Sequence, residues 1–131
     1  MWAEMTALRD ALADITGVET CKVGIESNMS PADYPMVRVV PTRLVPGKPY
    51  GHRTAEVSIY FGMNVGATQD DGTTFGLEYV YKSLASLEGD IITTIKEEGH
   101  KYIDTVTDED RLDTFKLMLV RCEVIVDRPA V

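Results

Sequence analysis

Two long stretches of strict two-residue alternation do most to limit what this chain can fold into. In residues 54–62, Ala55, Val57, Ile59 and Phe61 alternate with Thr54, Glu56, Ser58 and Tyr60. In residues 115–127, Met118, Val120, Cys122, Val124 and Val126 take every second position. A period of two puts each apolar set on a single face of a pleated strand, so both stretches read as strands with one face in a core. On the other face of the second stretch, Phe115, Leu117 and Leu119 give way to Arg121, Glu123 and Asp127. That predicts a sheet whose second face is covered only in part. Three weaker segments join these. Residues 20–26 alternate Cys21, Val23 and Ile25 with Lys22, Gly24 and Glu26. Residues 36–42 are valine-rich up to Pro41, which predicts an edge strand or one that ends early, and residues 102–107 are short and β-prone.

Helical spacing replaces alternation in two places. Met5, Leu8, Leu12 and Ile15 form one stripe opposite Glu4, Arg9, Asp10 and Asp14, and Gly17 supplies a stop. Leu77, Val80, Tyr81, Leu84 and Leu87 form a second stripe behind a Thr74 cap. Gly89 is expected to break it, with Asp90 capping a further piece through Ile91, Ile92 and Ile95 that Gly99 ends. Residues 27–35, 44–52 and 63–73 carry the turn formers and read as loops. The order helix, three strands, helix, two strands predicts an α+β fold. Its mostly antiparallel sheet of about five strands has hairpin-like connections, with the N-terminal helix and the second helical region packed on it. At 131 residues, a single domain over 1–131 is the expectation.

Chemistry is harder to find. Twenty-one acidic against thirteen basic residues give a formal charge of -8, which argues against gripping a phosphate backbone on the outer surface. No run approaches the roughly 20 apolar residues of a membrane helix, and the start Met1-Trp2-Ala3-Glu4-Met5 has no secretory pattern, so a cytoplasmic chain is expected. Cys21 and Cys122 are expected to be separate, structural thiols. His52 and His100 have no neighbouring His or Cys at ligand spacing and read as exposed loop residues. Asp108, Glu109 and Asp110 with Asp113 lack the glycine and terminal glutamate of a calcium loop and read as a solvated turn. GxSxG, GxxxxGK, GxGxxG and HExxH strings are absent, and Ser27, Ser30 and Ser58 have no His nearby in sequence. No catalytic residue, metal ligand or cofactor is therefore expected.

Lys22, Arg38, Arg43, Lys48 and Arg53 weight the first half towards base. Asp70, Asp71, Glu78, Asp104, Asp108, Glu109, Asp110 and Asp113 weight the second towards acid. Opposite-signed patches suit head-to-tail contact between copies, and the outward Tyr60 is of a type enriched in interfaces.

The element order, with Ala32-Asp33-Tyr34-Pro35-Met36-Val37-Arg38-Val39 and then Thr54-Ala55-Glu56-Val57-Ser58-Ile59-Tyr60-Phe61, resembles the tail terminator proteins of long-tailed bacteriophages. That family is also called minor tail protein U or tail-completion protein. The similarity covers nearly the whole chain, with residues 77–87 and 115–126 falling where the family has its later helix and final strands. The resemblance implies a non-enzymatic protein of the virion tail, assembled in the host bacterial cytoplasm. It would form a homo-oligomeric, six-membered ring that caps the tail tube, ends tube polymerisation and offers a surface for head attachment. The implied partners are the tail tube protein and a head-tail joining protein. DNA passes through the lumen without specific binding, and no membrane is involved. On this reading Asp70, Asp71, Asp108, Glu109 and Asp110 contact partners, and Arg38, Arg43, Arg53 and Tyr60 lie between subunits. Another neck or head-tail joining component is the alternative within the same assembly. A small cytoplasmic enzyme or adaptor domain is the alternative from a different class.

Overall fold

A computed structural model of the chain describes residues 1–24, 31–46, 53–64, 77–107 and 115–126. The elements are α1 (Trp2–Ala13), β1 (Thr20–Val23), a single 3-10 turn (Pro31–Asp33), β2 (Met36–Val45), β3 (Arg53–Asn64), α2 (Leu77–Glu97), β4 (Lys101–Val106) and β5 (Phe115–Val126). The fold is α+β, a five-stranded, mostly antiparallel sheet in the order β1-β2-β3-β5-β4. The strong alternation does what period two requires. Ala55, Val57, Ile59 and Phe61 of β3 and Val120, Cys122, Val124 and Val126 of β5 are buried on one face. Met5, Leu8 and Leu12 of α1 and Val80, Leu84, Leu87, Ile91 and Ile95 of α2 join them, so both helices pack on that same face.

Three sequence expectations are corrected. β1 and β2 are parallel, Thr20 opposite Met36 through Val23 opposite Val39, so that connection is no hairpin. About a dozen residues, including the 3-10 turn, bring the chain back, as a parallel pair requires. β2 is neither an edge strand nor cut short. It lies between β1 and β3 and runs through Pro41 to Val45, with its register shifting between Pro41 and Arg43. Pro41 is tolerated because Gly24 N–H already donates to the Val39 carbonyl at the end of β1. Two residues on, the proline's donorless nitrogen faces the same side where no β1 residue remains to pair.

The third correction concerns Gly89, which does not break the second helix; α2 is continuous over 21 residues. A mid-helix glycine costs about 1 kcal/mol relative to alanine. The buried stripe runs on past it through Leu87, Ile91 and Ile95, and burying each such side chain contributes about 1.5–3 kcal/mol. Burial outweighs the glycine. Ile25, the Thr74 cap and most of the three expected loops lie outside the described residues.

α2 carries the chain from β3 to β4 across the core face. Both strands run antiparallel to β5, which is inserted between them. The second face of the sheet is covered in part, as the half-apolar pattern of β5 predicted: Met36 and Arg38 are fully buried and Ser58 and Leu119 nearly so, while Arg121 is exposed.

Candidate functional site

The second sheet face gathers most of the functional candidates that can be described. At its β1–β2 end stands Arg38, 0% exposed. Its Nη1 donates to the Thr20 carbonyl at 3.0 Å and the Val37 carbonyl at 2.8 Å, and Nη2 donates to Thr20 Oγ1 at 2.9 Å. Thr20 Oγ1 in turn donates to the Asp33 carbonyl at 2.7 Å. The guanidinium therefore knits the 3-10 turn and both parallel strands together, satisfying carbonyls that burial would otherwise leave costly. The assignment of Arg38 to a contact between subunits is corrected accordingly, because its side chain is closed off inside its own chain. The sequence carried a signal for this. Met36, Val37, Val39 and Val40 surround Arg38 with apolar residues of both parities, which marks a strand segment covered on both faces.

Tyr60 is half-buried and stands in register between Arg38 and Leu119. Further along the same face the sheet is charged. Arg43, Glu56, Glu123 and Lys101 form one row across four strands, and Arg121 and Asp104 lie in the next. Arg43 Nη2 meets Glu56 Oε1 at 2.7 Å. Arg121 grips Asp104 with two parallel hydrogen bonds, Nε to Oδ1 at 2.6 Å and Nη2 to Oδ2. The hydrogen bond from Arg121 holds the Asp104 carboxyl below the usual carboxylate range, and the same bond raises Arg121. These three cations and three anions balance, so the patch offers a phosphate backbone no excess of positive charge. Arg53 is exposed at the start of β3, opposite Val126.

Asp70, Asp71, Asp108, Glu109, Asp110 and His52 lie outside the described residues. Among the described residues no group of three or more His, Cys, Asp or Glu side chains stands together as a metal ion would need. No helix there is long and apolar enough to cross a membrane.

The thiols are separate: β2 and β3 lie between β1 and β5, roughly 14 Å at the usual strand spacing, far beyond a disulfide's reach. Burial pushes the Cys21 thiol up to about 11, against the opposing pull of Arg38 and Arg9, and Cys122 up to about 12. Neither is a ready nucleophile at neutral pH.

Two residues gain roles the sequence did not suggest. Lys116 is 2% exposed, with its Nζ 5.4 Å from the centroid of the Tyr81 ring, a cation–π contact that fastens β5 to α2. His100 is half-buried rather than exposed, and its Nδ1 accepts the backbone N–H of Ile125 at 3.2 Å.

A groove of about 280 Å³ separates the turn after α1 from α2, with Thr16, Gly17, Pro35, Met63, Ser83 and Asp90 among its walls. It is at the small end for a substrate pocket and carries no acid–base pair at hydrogen-bonding distance among the contacts described. No family model matches the chain, and no curated protein matches it.

Proposed function

We propose that this chain is a structural component of a long-tailed phage or prophage, a tail terminator whose copies form a ring on the end of the tail tube. The observation that carries the reading is the resemblance in two segments that prove to be ladder partners. Met36 to Val39 of the first lie on β2 and Thr54 to Phe61 of the second on β3, paired from Met36 opposite Gly62 to Val45 opposite Thr54. The match thus rests on one contiguous piece of sheet rather than on two unrelated strings.

Physical features support the same reading. Net acidity suits a lumen that lets DNA slide past. The second face carries balanced charges of both signs, the kind of pattern that fixes register between neighbouring proteins more than it adds affinity. The two cysteines are high-pKa thiols and His100 has its Nδ1 engaged with backbone, so none of the three is a poised nucleophile.

Sedimentation velocity over a range of concentrations, followed by negative-stain imaging and addition to growing tail tubes, tests it. Six-subunit rings, or monomers that collect on tube ends and stop growth, are the expected result. A chain that stays monomeric and leaves tube growth unchanged overturns the reading. Rings that join heads to tails without stopping tube growth assign the chain to the neck instead.

A further inference from the structure

α2 ends on a residue that also holds the end of β5. Glu97 is the last helical residue, and Gly99 follows with φ +80°. The Gly99 N–H donates to the Lys96 carbonyl at 3.0 Å and the His100 N–H to the Ile95 carbonyl at 3.0 Å. This paired hydrogen bond is the glycine-terminated helix stop, and it fixes the backbone of His100 just before β4 begins. β4 pairs with β5 no further than Lys101 opposite Glu123. The Ile125 amide therefore points to the β4 side one step past the ladder, and His100 Nδ1 receives it at 3.2 Å. The ring nitrogen stands in for the carbonyl that a longer β4 would supply.

We propose that His100 is a proton-operated latch between the α2–β4 corner and the C-terminal end of β5. Nδ1 accepts only while it carries no proton, since imidazolium has donors at both nitrogens. Protonation of the ring turns the acceptor into a donor aimed at another donor, and the contact opens. Release is confined to the β4 side, because Thr54 and Arg53 of β3 still pair with Ile125 and Val126. Among the described residues, the charged neighbours of this corner in chain or register are Lys96, Glu97, Glu98 and Lys101 beside His100, Glu123 on β5 and Arg53 on β3. Acid thereby frees one edge of the strand end without unfolding the sheet.

Amide hydrogen exchange of Ile125 in the full chain, followed by NMR from about pH 7.5 to about pH 5 and corrected for intrinsic rates, reads the latch directly. The expected result is a loss of protection of about tenfold or more across that range, while Val120 in the middle of β5 keeps its protection. His100→Asn sets an amide oxygen near the position of Nδ1 and does not titrate, so Ile125 stays protected throughout. His100→Leu leaves it unprotected at every pH. Protection independent of pH in the wild type, or lost equally on acidification in His100→Asn, overturns the proposal. The wild-type and His100→Asn series decide it even where His100→Leu fails to fold.

Discussion

At Gly62 the missing side chain lets β3, β5 and Tyr34 close on one another. A Cβ there would come within 2.5 Å of Leu117 Cδ2, 2.9 Å of the Lys116 carbonyl oxygen and 3.4 Å of Tyr34 Cε1. The leucine tip can rotate, but the carbonyl belongs to the ladder and cannot. Gly62→Ala is therefore expected to lower stability by about 1–3 kcal/mol in urea unfolding, the usual cost of overpacking a closed site. The buried thiols make a prediction of opposite kind, visible only in alkali. Burial raises Cys122 to about 12, while the unfolded chain gives up that proton at the ordinary thiol value, near 8.5–9. Between these limits the folded state binds more protons, so its stability is full below the unfolded value and falls as pH rises. Cys122 contributes a slope of at most about 1.4 kcal/mol per pH unit. Unfolding measured at about pH 8 and about pH 10.5 should show a smaller alkaline loss in Cys122→Ala than in the wild type. An equal loss would assign the effect to other groups.

At the scale of elements, α2 shows tertiary burial overruling a local breaker, and the glycine inside it and the one just past its end should respond oppositely. Gly89 is exposed, and a Cβ there meets nothing within 4 Å. Gly89→Ala is expected to raise stability by about 1 kcal/mol. Gly99 holds φ +80° at the helix stop, so Gly99→Ala is expected to lower stability by about 1 kcal/mol. Thermal unfolding of both variants checks the pair. The contrast also shows what was legible in the sequence. β3 and β5 were readable because one face is buried along nearly their whole length, which forces alternation. α1 was readable from its stripe, and the stop at Gly99 because only a left-handed position needs glycine there. The parallel β1–β2 pair left no local trace, since its direction is set by the path through residues 24–35. Passage through Pro41 depended on where a different strand happens to end. The candidate site was less legible still. Arg38 reads as surface charge by residue type alone, and only its apolar neighbours Met36, Val37, Val39 and Val40 mark the segment as covered. His100 looked like a loop residue because its partner, Ile125, is 25 positions away.

For the whole molecule, the disposition of charge decides how copies would meet. Head-to-tail attraction needs an uncompensated basic patch. Yet Arg38 is buried, Arg43 faces Glu56 across 2.7 Å and Arg121 grips Asp104. With those cations engaged inside the chain, local attraction between copies is weak, whereas each copy brings a formal charge of -8 to any assembly. Repulsion of that net charge reaches over about 30 Å at 0.01 M salt but only about 8 Å at 0.15 M. Exposed ion pairs between copies would be screened in the same way, but they contribute at most about 1 kcal/mol each. The expectation is that net repulsion governs. If the chain assembles into rings, their population should rise with added sodium chloride at constant protein concentration. Sedimentation velocity at about 0.01 M and about 0.3 M salt measures this. Rings that dissolve as salt is added would instead mean that acidic segments of one copy reach basic residues of the next, and would return Arg43 and Arg53 to the interface. Charge reversal then separates the two cases. Arg43→Glu, which takes each copy from -8 to about -10, should weaken assembly in a way that added salt restores where repulsion governs, and abolish it at every salt concentration where complementary patches govern.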